Sequence, residues 1–264
     1  MRECRGSGTG LWIRFLVILV LAVAWLPVAR APSRQAILTL DGVGASNCQR
    51  PFCVHSQLLT TSSGNDVIVL VVDTRCNTGI AGITDSSGLH FALRVSHGNG
   101  CYGSLWEYYA IANAKLNQDN VTLLADQCCN TIIDMQVFAV HGANTLAVFD
   151  PDPSTPAAVS CPGEGCGDCT ANFGKGTCSV SIRTSTPDFV FASTAVNDAP
   201  PCVPQNQTGQ VQGFTSLMPN QNGRFEADYT ITSLRQSTVV FACSGTDASV
   251  ILVDAISFNG AFDT

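Results

Sequence analysis

The chain has 264 residues, 45% of them hydrophobic and only 12% charged, with 13 cysteines and a formal net charge of −7. A negative, cation-poor chain repels phosphate backbones, so nucleic acid is excluded as an expected partner. Thirteen cysteines point away from a reducing cytosol and toward an oxidising, extracellular space.

The amino-terminal residues read as a secretory leader. Arg2, Arg5 and Arg14 form a positive region, and residues 15–29 are uncharged and apolar. That run is shorter than the roughly 20 residues a spanning helix needs, Pro27 interrupts it, and Ala29-Arg30-Ala31 is a small-x-small cleavage pattern. A signal peptide over residues 1–31 predicts a secreted mature chain starting at Pro32, with no integral membrane segment left; an uncleaved signal anchor is the alternative. Cleavage takes Cys4 with it, and leaves 12 cysteines and 9 basic against 19 acidic residues, a net charge of −10.

Beyond the leader the pattern is that of strands. Ala36, Ile37, Leu38, Thr39 and Leu40 form an apolar strand behind a short polar lead. It could complete a neighbouring subunit's sheet or pair within its own domain. Cys48 and Cys53 flank a tight Gln-Arg-Pro-Phe turn. Residues 67–72 (VIVLVV) are apolar on both faces, which predicts a strand in the middle of a sheet covered on both sides. Cys76 and Cys101 lie in the connections around a hairpin at Ile83. In the strand from Trp106, alternation puts Trp106, Tyr108 and Ala110 on a core face and Glu107 and Tyr109 opposite. Residues 112–116 are the best place for a single helical turn. Asn120 opens a glycosylation sequon, and the adjacent Cys128 and Cys129 should each bond elsewhere.

Residues 150–177 form a connection rich in Pro, Gly, Ser and Cys, with Cys161, Cys166, Cys169 and Cys178 as its fixed points. The Cys-x2-Cys there would read as zinc in a cytosolic protein; behind a leader, disulfides are the expectation, with no metal. Residues 178–184 alternate as a half-buried strand. An irregular stretch follows, carrying Cys202 and a second sequon at Asn206. Residues 225–232 alternate again, Phe225, Ala227, Tyr229 and Ile231 inward and Glu226, Asp228, Thr230 and Thr232 outward, and Cys243 completes the cysteine set.

The chain also repeats itself. Residues 64–72, 106–126 and 135–143 resemble residues 186–194, 225–244 and 253–261, at offsets of 122, 119 and 118. The simplest architecture is all-β: one sandwich over residues 32–264, built from similar halves at about 36–149 and 178–264 that share a core. Two independent small sandwiches are the alternative, each burying little apolar area.

The order of blocks carries a resemblance: a turn into the apolar strand at residues 65–73, ITDSSGLHF at 83–91, WEYYAIA at 106–112, a strand at 120–125 and VFAVHG at 137–142. It resembles secreted jelly-roll, concanavalin-like sandwich modules of bacterial and archaeal surface proteins. The resemblance implies a non-catalytic cell-surface, adhesive or filament-forming subunit, partnered by copies of itself, other surface proteins or glycans.

The candidates for chemistry are few. Glu107 and Glu226 fall in matching blocks and could form the facing carboxylates of a glycoside hydrolase or glycan-binding groove; the plainer reading is two solvent-facing strand residues. Trp106 is the single tryptophan after the leader and points to the core, which leaves a poor stacking platform for sugars. His55, His90, His97 and His141 lie in no ligand motif. Asp85, Asp150 and Asp152 could hold calcium at a rim, as loop carboxylates sometimes do. No other cofactor is expected.

Overall fold

The computed structural model describes residues 37–46, 54–75, 78–98, 103–126, 133–160, 176–196, 213–217, 225–233, 236–246 and 248–260. Their regular structure is entirely β, as the Val, Ile, Thr and Phe content of the alternating runs favours. Nine strands precede residue 142: β1 (Thr39–Val43), β2 (Ala45–Ser46), β3 (Val54–Leu59), β4 (Asp66–Arg75), β5 (Ile80–Thr84), β6 (Ala92–Gly98), β7 (Gly103–Ala112), β8 (Asp119–Ala125) and β9 (Ile133–His141). Seven follow: β10 (Ala157–Ser160), β11 (Gly176–Thr184), β12 (Asp188–Val196), β13 (Thr215–Ser216), β14 (Phe225–Ile231), β15 (Ser237–Thr246) and β16 (Ala248–Ser257).

The strands form antiparallel sheets in the orders β1-β9-β4-β7-β6, β2-β3-β8-β5, β10-β16-β12-β14-β13 and β11-β15. The two five-stranded sheets share one plan, with the first and last strands of each half side by side and a strand lined on both faces third. The two sheets pack face to face, β4 over β12, β9 over β14, and β7 over β12 and β16. Since β9 corresponds to β16 and β7 to β14, the halves are related by an approximate two-fold axis between β4 and β12. The smaller sheets cover the outer faces.

Side-chain alternation explains the layering. Val67, Val69 and Val71 point into the central core with Phe138, Phe189 and Phe191. Ile68, Leu70 and Val72 point the other way, onto Leu59, Val121 and Leu123. On β12 the same alternation sends Val190 and Ala192 to a third core with Ile182, Val239 and Phe241. Strands β4, β12 and β16 are therefore lined on both sides, and their near-continuous apolar runs follow from that. Aromatic contacts knit the centre: Phe138 lies 5.9 Å from Phe189 and 5.4 Å, edge-on, from Phe191, while Phe189 stacks on Tyr229 at 4.9 Å.

Polar side chains seal the places where the chain changes layer. Between β1 and β2 the chain crosses at Gly44, whose carbonyl accepts from Gln136 Nε2 at 3.1 Å, while Gln57 Oε1 accepts from the Val137 amide at 2.8 Å. At the end of β9, Gly142 has φ 79°, and a Cβ there would sit 2.5 Å from the Ile37 carbonyl oxygen. Only glycine fits that turn beside the incoming first strand. The helical turn expected at residues 112–116 is absent: the Leu116 amide donates to Thr61 Oγ1 at 2.9 Å, and that side-chain acceptor replaces the helical partner.

With Asp66 and Asp188, the first residues of β4 and β12, taken as equivalent, the backbone registers fix the alignment of the remaining strands. Val67 lies opposite Ile111 and Val140, and Phe189 lies opposite Ile231 and Ile256. The offsets are therefore 122 for β4 and β12, 120 for β7 and β14, and 116 for β9 and β16. Cys178 is disulfide-bonded, and its register neighbour on β15 is Cys243.

Because Phe138 anchors both aromatic contacts across the two-fold, Phe138→Ala should lower the unfolding free energy by about 3–5 kcal/mol. Denaturant unfolding of the oxidised chain measures it, and a loss below about 1 kcal/mol would mean that the two halves do not share this core.

Candidate functional site

The structure separates Glu107 from Glu226. In the register alignment Glu107 corresponds to Ala227, and Glu226 to Trp106, so an offset of 119 is one residue short in this block. In a strand one residue of slip exchanges faces. Glu107 alternates with Leu105 and Tyr109 and faces the central core, whereas Glu226 alternates with Phe225 and Ala227 and faces the other side of its sheet. Neither is the solvent-facing residue that the repeat pattern implied: both are buried.

What Glu107 does meet is Asp254, on β16 of the other half. The Asp254 carboxyl bears on Glu107 in the central layer, and neither oxygen of Glu107 receives an N–H or hydroxyl donor. Asp254 accepts from Arg94 Nε at 2.8 Å and from the Ala255 amide at 2.8 Å. Two carboxylates in contact can be satisfied only if one carries a proton. Burial, and then the charge of Asp254, push the Glu107 pKa well up, while Arg94 works against this. The Asp254 pKa is raised by burial, against the opposing hydrogen bond and charge of Arg94. Arg94 thus holds the negative charge at Asp254, and the stronger upward push falls on Glu107, the member that favours carrying the proton.

Arg94 reaches this place through a β-bulge. Leu93 pairs with Tyr108 and Val95 with Glu107, so Arg94 is the extra residue on β6, and a bulge re-aims the side chain it carries. The guanidinium lies over the Phe149 ring, 4.1 Å from its centroid, and Tyr109 meets the same ring edge-on at 5.0 Å. Burial alone would lower the Arg94 pKa; the Asp254 hydrogen bond and the surrounding charges more than offset it. The result is a trio of two buried acids and a half-buried arginine that links the two halves.

Glu226 pairs instead with Asp228, two residues along the same face of β14. Burial, and then the Glu226 charge, raise the Asp228 pKa to about 9. Trp106 packs toward the outer core and donates to Thr74 Oγ1 at 2.9 Å. A cleft of ≈ 680 Å³ lies elsewhere, between residues 87–90 and 111–116, and holds no carboxylate pair.

The remaining candidates are placed as follows. Asp85 Oδ1 accepts the Ser87 and Leu89 amides, and Asp150 accepts those of Asp152, Ser185 and Thr186, so both organise turns. Asp152 accepts the Ser154 amide at 2.9 Å. Among the described residues no three His, Cys, Asp or Glu side chains cluster as metal ligands, and no helix is long and apolar enough to cross a membrane. His141 Nδ1 lies 2.7 Å from Asp66 Oδ1 and His97 Nε2 3.1 Å from Ser160 Oγ. His55 has a pKa lowered by burial, against the charge of Asp134, and His90 is exposed. Asn120 sits on the outer face of β8, its amide 3.3 Å from Thr122 Oγ1. Residues 1–31, Ala36, Cys48, Cys53, Cys76, Cys101, Cys128, Cys129, Cys161, Cys166, Cys169, Cys202 and Asn206 lie outside the described residues.

Sequence reasoning missed the Glu107–Asp254–Arg94 trio. Asp254 interrupts the otherwise apolar run 250–256, which was the available signal. Comparison with protein-family models, with curated proteins and with solved structures finds no match.

Two variants separate this arrangement from a decorative one. Arg94→Met leaves a buried carboxylate without its cation and should cost about 3–5 kcal/mol. Glu107→Gln keeps a donor toward Asp254 and should cost about 1 kcal/mol or less. Equal losses in chemical unfolding would contradict the assignment of Glu107 as the proton-bearing partner.

Proposed function

We propose that this chain is a non-catalytic extracellular structural protein: a cell-surface or filament-forming subunit of the secreted jelly-roll type, assembling by donation of its amino-terminal strand. The observation that carries this reading is the position of β1. It is an edge strand at the amino-terminal end of the described fold, its sheet pairing is with β9 alone, and Leu38, Leu40 and Val43 pack on the central core. The same strand from a neighbouring copy would make the same backbone bonds to β9 and fill the same core positions.

Other features support the rest of the reading. In each half the first and last strands are neighbours, and the order β1-β9-β4-β7 over β3-β8-β5 returns as β10-β16-β12-β14 over β11-β15. Interleaving of this kind is what a jelly roll produces when two Greek keys wrap. The disulfide at Cys178 fits an oxidising compartment. Glu107 and Glu226, the paired catalytic candidates, are both buried and on different faces, which weighs against a glycan groove built on them.

Deleting residues 32–41 and adding back a synthetic peptide of residues 36–43 tests strand donation. The full-length oxidised chain should form polymers visible by negative stain. The truncated chain should stay as single particles that bind the peptide with a gain in melting temperature. A full-length protein that is monomeric at every concentration, or a truncated one that still polymerises, would defeat the proposal.

A further inference from the structure

The carboxyl pair between the halves is one of several. The start of each central strand carries the same device. Asp66 opens β4 and bears on Asp41 of β1, whose Oδ2 accepts the amides of Ser62 and Ser63 at 2.9 and 2.8 Å. Asp188 opens β12 and bears on Asp150, whose Oδ2 accepts the amides of Ser185 and Thr186 at 2.7 and 3.3 Å. Asp66 and Asp188 are register equivalents. In both halves a carboxylate clamps the turn before the central strand, and a second, buried carboxyl closes onto it. Glu107–Asp254 and Glu226–Asp228 bring these to four; a fifth pair, Asp73 and Asp134, lies directly across β4 and β9, with Arg75 on Asp73.

We propose that the folded chain is a proton-loaded scaffold: four carboxyl pairs, each with at least one buried member, close on a shared proton, so that the fold takes up protons and holds together best in acid surroundings. The alternative neutraliser, a cation, is scarce at these places. Arg94 serves Glu107–Asp254, with Tyr109 beside it, and His141 faces Asp66. Thr186 Oγ1 meets Asp188 at 2.6 Å as a neutral donor, and Glu226 is the charged group that bears on Asp228. The oxygens Asp66 Oδ2, Asp188 Oδ2 and Asp228 Oδ2 and both of Glu107 receive no N–H or hydroxyl donor, which a carboxyl–carboxylate contact would explain; Asp73 Oδ1, Asp119 Oδ2 and Asp134 Oδ2 share that state outside the four pairs.

The direction of the pH effect follows. Burial raises Asp66 to about 6, against the His141 bond and with the help of Asp41. Burial and the Asp150 hydrogen bond raise Asp188 to about 9, and Asp228 likewise stands at about 9. A carboxyl whose pKa is higher folded than unfolded binds more protons in the native state, so stability is greatest below the unfolded value and falls as pH rises through the folded one. The loss therefore extends from the ordinary 3.8 up to about 9. His55, with its lowered pKa, and Asp152, lowered by the Ser154 hydrogen bonds, act in the opposite sense at the acid end, one group each against four pairs.

Calorimetric melting of the full-length, disulfide-bonded chain across that window tests the idea, together with the infrared carboxylic-acid C=O band at neutral pH, which requires no variant. The expected results are a melting temperature that falls steadily toward alkaline pH and a carboxylic-acid band that persists at neutrality. Asp188→Asn should leave the acid-side melting temperature unchanged and flatten the alkaline fall. A melting temperature that rises through the window, or absence of the acid band, would overturn the proposal. So would restoration of alkaline stability by added calcium, because the pairs would then hold a cation and not a proton.

Discussion

A strand covered on both faces has no side that reaches water, and this constraint governs the molecule. Strands β4, β12 and β16 lie in two sheets pressed together and covered again on their outer faces, so every side chain on them must be apolar or neutralised in place. An unpaired ionised carboxyl in such a layer carries a desolvation cost of several kcal/mol. The described residues hold only Arg75, Arg94, Lys115 and Arg183 as permanent cations. Arg75 lies 2.9 Å from Asp73, whose pKa burial nonetheless raises to about 7 against the Arg75 charge. Where no cation is within reach, the proton is the remaining neutraliser, and the carboxyls are found in pairs that can share one.

The approximate two-fold makes the central interface instructive, because it is broken at one place. Phe138 and Asp254 hold equivalent positions on β9 and β16, as Glu107 and Ala227 do on β7 and β14. One side of the axis therefore presents Phe138 and Ala227, a large ring and a small methyl. The other presents Asp254 and Glu107, bridged to Arg94. Apolar packing serves one side and a satisfied polar trio the other, with the bulge in β6 supplying the cation. Such a trio adds orientation more than net stability, since the hydrogen bonds repay the desolvation only in one geometry.

This architecture bears on function through what it leaves accessible. Among the described residues Glu107 and Glu226 are inside, while the strand edges and the cleft at residues 87–90 and 111–116 are open. Among those, β1 is an edge strand whose core side chains fit a position that a second copy could fill. The extracellular scaffold proposed above would gain from covalent bridging and from internal charges that are quenched in acid.

Much of the layering was legible in the chain. Residues 67–72 are apolar at every position, and a strand like that has both faces buried. Period-two alternation located β11 and β14, and the recurrence of Asp66 and Asp188 before two such strands reflects the duplicated plan. The pairing of acids was not legible, because alternation within one strand says which residues share a face and nothing about what lies opposite. The blocks around Glu107 and Glu226 look aligned by letter, yet the registers with β4 and β12 differ by one residue, and that single step sends one glutamate to the centre and the other to the far face. Amino-acid order alone determined the strands and their two-sided character, since period and hydropathy are local. Only the tertiary structure decided which acid meets which, since that depends on register and on how the two sheets cross, and both are set by long-range packing.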